Sequence, residues 1–424
     1  MRHIILMLMA FLWAVPTLAQ AIQPYYRVKA FGDGAAGDTL DLYDLLHFNA
    51  PGDFPTSGVP TLTVVGHGGK FVLGAGGFVK AIAGWDIGHP IESPDEFITS
   101  QIPMRPMDGD GSRFSLSARQ TMLYVNFIAF PATANQLGAF VGVNLLDSGY
   151  MPVVQYAYLK YRGLRAGYDN TLFSDPQCGP PTVDYEGPCS NTCSPVGGIS
   201  YSWERGPWMA GGGIELPHAS FTTEEGFTRS VYQRVPDIPL AARYSWDGGN
   251  SWVRASAIVR TLTYRNESER RNHNCLGYGL QVSGSEYFLD RLTFYWQGMW
   301  GRGCGSMAQD LAGEGLDLVP SENGRELSPV MMWGGFVALR WDICRRVAAS
   351  VTYSQLRSYA DRFEGGSTPW ADLCRGTQYF CTNAFFEATS FLEVGVEYIW
   401  GRRTDYSGLK CADNRIQAAL QLTF

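Results

Sequence analysis

Charge is in short supply in this chain, and so is any long apolar run. Asp, Glu, Lys and Arg make up 17% of its 424 residues, against roughly 25% in an ordinary soluble domain. Past the first twenty residues there is no stretch of about 18 apolar residues, which excludes a membrane-spanning helix. A basic excess is missing as well: 33 Lys+Arg face 40 Asp+Glu, a balance that argues against a nucleic-acid partner. No Pro/Ser linker, charge run or fixed-period repeat divides residues 68–424. One large unit is therefore simpler than the two or three domains this length would otherwise suggest.

What the chain has in abundance is rings and glycine, with 13% Phe, Trp and Tyr and 49 Gly. It opens like an export signal. Arg2 and His3 give the positive start, Ile4 to Val15 the apolar stretch, and Ala19-Gln20-Ala21 the small-x-small cleavage site. Losing residues 1–21 leaves 32 Lys+Arg against 40 Asp+Glu. Residues 22–67, of mixed polarity with scattered Gly and Pro, read as a periplasmic lead-in, with a helical turn or two near Leu40 to His47. An exported chain low in charge and rich in rings fits a bacterial outer-membrane barrel, where half of each strand meets lipid and aromatics gather at both interfaces.

Strict alternation supports that class. In the last segment Ile416, Ala418, Leu420, Leu422 and Phe424 share one face, while Arg415, Gln417, Ala419, Gln421 and Thr423 share the other. Between Met331 and Trp341, Trp333, Val337, Leu339 and Trp341 fall together. Those two tryptophans stand roughly 20 Å apart in height, at about 3.3 Å per residue and a tilt near 40°, close to the ~25 Å apolar band of such barrels. In the segment before the last, Leu392, Val394, Val396, Tyr398 and Trp400 point out and Glu393, Gly395 and Glu397 point in.

Marking every such segment predicts sixteen antiparallel strands across residues 68–424. They fall at 69–86, 112–126, 138–147, 152–162, 163–172, 199–206, 207–215, 239–246, 251–263, 274–284, 290–301, 330–342, 345–357, 376–387, 390–401 and 412–424. The fold class is thus all-β, a transmembrane barrel with short periplasmic turns and long extracellular loops. Long connections fall at 87–111, 173–198, 216–238, 302–329 and 358–375. The connection at 127–137 is awkward, being too long for a periplasmic turn.

Cysteines follow this map. Cys178, Cys189, Cys193, Cys275, Cys304, Cys374, Cys381 and Cys411 belong to the extracellular side, and only Cys344 to the periplasmic side. An exported chain makes disulfides among those eight the default expectation. A metal site at Cys178, Cys189 and Cys193 is disfavoured, since the spacing matches no zinc pattern and no histidine is near in sequence. No cofactor is implied.

Inward parity predicts the channel wall: Lys80, Arg113, Arg119, Lys160, Arg162, Arg243, Arg254, Arg260, Arg340 and Arg415, against Asp86, Glu393 and Glu397. A wall so basic favours anions such as carboxylates. The connection at 173–198 holds Asp175, Asp184 and Glu186. Folded inward, it would set acids against the basic wall as a constriction; its plainer reading is an external flap.

At Gly76-Gly77-Phe78-Val79-Lys80, Val235-Pro236-Asp237, Glu397-Tyr398-Ile399-Trp400-Gly401-Arg402-Arg403, Asn414-Arg415-Ile416-Gln417 and the terminal Phe424, the chain resembles the DcaP-like outer-membrane porins. The likeness runs over roughly residues 70–424 in order. It implies a sixteen-stranded trimeric channel for dicarboxylates and other small anions, with outer-membrane lipid around it. Members commonly carry an N-terminal coiled coil, whereas residues 22–67 show no heptads.

Rival readings remain open. An enzyme in a barrel needs a histidine base beside a serine on a strand, yet His3, His47, His67, His89, His218 and His273 fall in the signal, the lead-in or the connections, so no enzyme is expected. A fatty-acid-type transporter would need an apolar lumen plugged by the N-terminal segment. A surface adhesin or structural barrel would work through its loops alone.

Overall fold

Period-two alternation yields sixteen strands in the computed structural model, which describes residues 27–30, 62–66, 69–105 and 111–424, except 132, 134, 147, 148, 193, 322, 323 and 361–369. The expected signal and the helical turn near Leu40 to His47 lie outside the described residues.

The first eight strands are β1 (Phe71–Ile87), β2 (Ser112–Ser117 and Met122–Ala129, one interrupted strand), β3 (Leu137–Asn144), β4 (Val153–Tyr161), β5 (Leu164–Asn170), β6 (Pro195–Arg205), β7 (Trp208–Glu215) and β8 (Ile238–Trp246). The second eight are β9 (Ser251–Asn266), β10 (Arg271–Phe288), β11 (Leu292–Arg302), β12 (Met331–Cys344), β13 (Val347–Tyr359), β14 (Cys374–Glu387), β15 (Leu392–Asp405) and β16 (Lys410–Thr423). Each pairs antiparallel with its successor, and β16 returns to β1 in register from Asn414↔Ile87 to Thr423↔Phe78.

Closure is completed by the last residue. Gly77 and Phe424 exchange backbone hydrogen bonds of 2.8 and 2.9 Å. A side chain at Gly77 would place its Cβ 2.3 Å from the Met122 carbonyl oxygen, so only glycine lets β1 approach β2 at this point. Below Phe424, the short strand Leu62–Val65 takes over the pairing along β1, from Leu62↔Ala75 to Val65↔Val72. That part of the lead-in is sheet.

Two sequence boundaries need correction. β2 runs on to Ala129, so the awkward connection shrinks to residues 130–136. β10 starts at Arg271, which places His273 on a strand rather than in a connection, stacked on Tyr264 and bonded to Glu269. Both hairpins continue because the ladder keeps pairing beyond the apolar stretch that marks it in sequence.

The side chains are arranged inside out. Along β1, Leu73, Val79, Trp85 and Ile87 are exposed while Lys80, Ile82 and Asp86 are buried. On β2, Phe114 and Leu116 are 63% and 69% exposed, yet Arg260 and Arg415 are at 0%. On β12, Val337, Leu339 and Trp341 all face outward. A soluble globule reverses this order, and an apolar surface of such extent marks a lipid interface. Closure leaves no unpaired edge, as hydrocarbon requires.

The apolar core sits in the barrel mouth. Four connections build above and into it: L1 (88–111), L3 (171–194), L4 (216–237) and L6 (303–330). Ile91, Phe97 and Ile102 of L1, Phe173 and Cys189 of L3, and Met307, Leu311 and Leu316 of L6 pack into one buried cluster with inward residues of the wall.

Candidate functional site

L3 runs through the lumen, held by the inward side chains of the wall. Its centre is tied to β15: the Glu397 carboxylate accepts Val183 N–H and Asn383 Nδ2 on one oxygen, and Asp184 N–H and Gln417 Nε2 on the other, all within 2.8–2.9 Å. Lys80 Nζ donates to the Val183 carbonyl at 2.9 Å. Farther along, Gln297 Nε2 donates to Ser190 O, and Asn383 Nδ2 to Pro181 O. Tyr185 accepts from Asn144 and Gln155 on the opposite side.

The three acids expected to face the basic wall are spent on this packing. Asp175 accepts from Trp252 Nε1 at 3.0 Å and Ser283 Oγ at 2.7 Å. Asp184 accepts Phe97 N–H on one oxygen and Gly187 N–H on the other. Glu186 is buried beside Gln309. A short acidic side chain in a folded loop is the nearest acceptor for orphan N–H groups, and that need takes precedence here. Burial pushes the Asp184 carboxyl from 3.8 up to about 7, with Glu397 adding to the rise. Burial likewise lifts Asp310 of L6 to about 8. Glu186 rises well above the ordinary range, through burial and then through Glu96, Asp310 and Asp184.

The ten basic residues predicted for the wall have different fates. Arg415 is buried in an ion pair with Asp86, Nε to Oδ1 2.5 Å, and holds the Ser93 carbonyl of L1. Arg260 is buried between Asp237 and Asp317, at 3.0 and 3.1 Å, clamping L4 and L6 together. Arg254 donates to the Leu172 carbonyl of L3 at 2.6 Å. With Lys80, these four hold loops in place. Arg113 donates to the Ile91 and Glu92 carbonyls, and Arg119 pairs with Asp95 at 2.7 Å, so both serve L1. Arg340 pairs with Asp342 near the periplasmic end. Arg162 stands exposed at the β4–β5 turn with φ 48°, bonded to Asn135.

Lys160 and Arg243 remain half-exposed on the wall from β4 to β8. That wall is low: Gly167, Gly198, Ser200, Ser202, Gly211 and Gly213 lie on its inward parity. Tyr158, Arg165, Asp169 and Glu215 line a cleft there with Gly167, Gly198 and Ser200. Arg165 belongs to this group and is absent from the sequence prediction. It lies directly across the β4–β5 hairpin from Lys160 and pairs with Asp169 at 2.6 Å. The signal for it is the outward alternation of Leu164, Ala166 and Tyr168, which is weak because the strand is short. Arg243 reaches toward L3: its guanidinium stacks 4.4 Å from the Trp252 ring centroid and bonds Gln177 and Ser245.

Most of the cysteines expected to pair do not form disulfides among the described residues. Cys189, Cys275, Cys304, Cys344, Cys374, Cys381 and Cys411 are free thiols among the described residues, Cys178 is buried against Trp252 and Phe336, and Cys193 lies outside the described residues. Cys189, Cys304, Cys374, Cys381 and Cys411 share the apolar cluster of the mouth, where a thiol packs as a small hydrophobe. Burial pushes the Cys189 and Cys304 thiols up, which makes them unreactive.

No model of a known protein family matches this chain, and no curated protein matches it by sequence. Solved structures do match. The outer-membrane channel DcaP of Acinetobacter baumannii is 18% identical, with 84% of this chain and 98% of that chain covered and a TM-score of 0.69. An anion-selective porin from Comamonas acidovorans is 8% identical, covering 84% and 100%, with a TM-score of 0.53. OmpF of Salmonella typhi is 12% identical, covering 84% and 98%, with a TM-score of 0.51. This chain has the sixteen-stranded porin fold of the bacterial outer membrane, as the sequence resemblance implied.

Proposed function

We propose that the chain is a porin through which small hydrophilic solutes diffuse passively, with a preference for anions such as carboxylates. L3 narrows the lumen, and the path follows the low wall of β4 to β8. Gly and Ser leave room there, while Lys160, Arg165 and Arg243 supply positive charge. The observation that carries the anion preference is Arg243. Its half-exposed guanidinium bonds only neutral side chains and has no carboxylate within ion-pair distance among the described residues. Asp169, Glu204 and Glu215 on the same wall temper that field, so the preference is moderate rather than absolute.

A fatty-acid-type transporter needs an apolar path, and Ser200, Ser202, Arg165, Asp169 and Arg243 do not make one. The working assembly is a homotrimer, as the resemblance implies; light scattering of the detergent-solubilised protein tests it.

The function itself is tested in planar bilayers under a salt gradient. The expected result is an open conductance whose reversal potential has the anion-selective sign, with small carboxylates permeating in liposome swelling. A closed barrel or a clearly cation-selective one overturns the reading.

A further inference from the structure

The outward face carries a pattern that conduction does not use. β11, β13 and β15 all run toward the extracellular side, and each carries near that end an outward arginine beside an outward ring: Arg302 with Trp300, Arg357 with Tyr359, Arg402 with Trp400. The guanidinium of Arg357 lies 5.4 Å from the Tyr359 centroid, and that of Arg402 lies 5.6 Å from Trp400. Register sets them in one band: Trp300 pairs with Trp333 and Trp333 with Arg357, while Gln378 pairs with Arg402.

Outward rings share the band with the arginines at the extracellular end of the lipid-facing wall, so it stands at the level of the outer-leaflet headgroups, where aromatic girdles lie. The charge there is unbalanced. The chain is acidic overall, at −7, yet no Asp or Glu lies on the outward parity of the upper halves of β10 to β16. None of Arg302, Arg357 and Arg402 is in an ion pair among the described residues. Arg302 donates to the Pro329 carbonyl and Arg402 to Gln378 Oε1, both neutral acceptors, so the positive charge of the band stays uncompensated.

We infer that this band is a docking surface for phosphorylated lipid headgroups of the outer leaflet. Guanidinium matches phosphate in geometry and gains strength at an interface poor in water. Arg302 and Arg357, like Arg357 and Arg402, are separated by two strand spacings, roughly 10 Å. That interval suits a headgroup bearing two phosphates, with its acyl chains lying along the apolar residues below. The surface is independent of the lumen, so conductance is not its readout.

The test is native mass spectrometry of the full chain in detergent, titrated with diphosphoryl lipid A. The triple variant R302Q/R357Q/R402Q is expected to bind about tenfold more weakly or worse. Lipid A stripped of both phosphates should bind the unaltered protein as weakly as that, and R345Q/R346Q at the periplasmic β12–β13 turn should bind normally. Should the triple variant fail to form a barrel, Arg402→Gln alone is expected to weaken binding measurably. Unchanged binding by the variants, equal binding of the dephosphorylated lipid, or a change of oligomeric state with lipid binding intact overturns the inference.

Discussion

The Glu397 carboxylate grips two consecutive backbone N–H groups of L3, Val183 at 2.8 Å and Asp184 at 2.9 Å. Hydrogen bonds to a charged group are worth about 1.5–3 kcal/mol each. Glu397→Ala removes both and leaves two buried donors orphaned, so L3 should detach from β15. Single-channel recording should show a larger and noisier conductance, with Glu397→Gln intermediate because an amide keeps only one accepting oxygen. An unchanged conductance would mean that L3 does not narrow the path.

The buried acids of the loops give a pH dependence. Asp184, with its carboxyl lifted to about 7, and Asp310, lifted to about 8, hold their protons to higher pH when folded than when unfolded. Between about pH 4 and pH 8 the packed loops therefore bind more protons than loosened ones, and packing loses stability as pH rises through that window. Amide exchange across residues 183–187, corrected for intrinsic rates, should be slowest at pH 5 and faster at pH 9. Asp310→Asn should flatten part of that rise.

Arg260 is the clamp between L4 and L6. Replacing it with Ala leaves Asp237 and Asp317 buried without their cation, a loss of about 3–5 kcal/mol for a buried pair. Limited proteolysis should then cut residues 216–237 and 303–330 before the barrel strands are touched. Arg229, exposed and paired with Glu267 at 2.9 Å, is the control whose replacement should cost within about 1 kcal/mol.

If Arg243 sets selectivity, Arg243→Ala should move the anion-to-cation permeability ratio toward unity, and Arg243→Glu should move it further in the same direction. Arg415→Ala should act differently. That side chain is fully buried in its pair with Asp86, so its loss should unseat L1 rather than alter the sign of selectivity.

Alternation alone located the strands, because lipid on one side and polar groups on the other impose the same period on every one of them. It placed Lys80, Arg243, Arg254, Arg260 and Arg415 on the inward parity. It could not separate Arg415, sealed under L1, from Arg243, open to the path, because parity names a side and not what covers it. Only the fold of residues 171–194 and 88–111 decides that, and their contacts come from side chains up to 322 positions away in sequence. The same limit applies to the cysteines: parity put eight on one end of the barrel, but an apolar cluster there takes up Cys189, Cys304, Cys374, Cys381 and Cys411 as unpaired thiols. Arg165 escaped because its strand is only seven residues long.

The most direct test of the inside-out arrangement is Val337→Arg, midway between Trp333 and Trp341 on β12 and 49% exposed. If hydrocarbon surrounds that face, reversible refolding into lipid vesicles should show a loss of about 2–4 kcal/mol, the cost of an arginine at the bilayer midplane. A change within about 0.5 kcal/mol, as expected for an exposed valine facing water, would contradict the account.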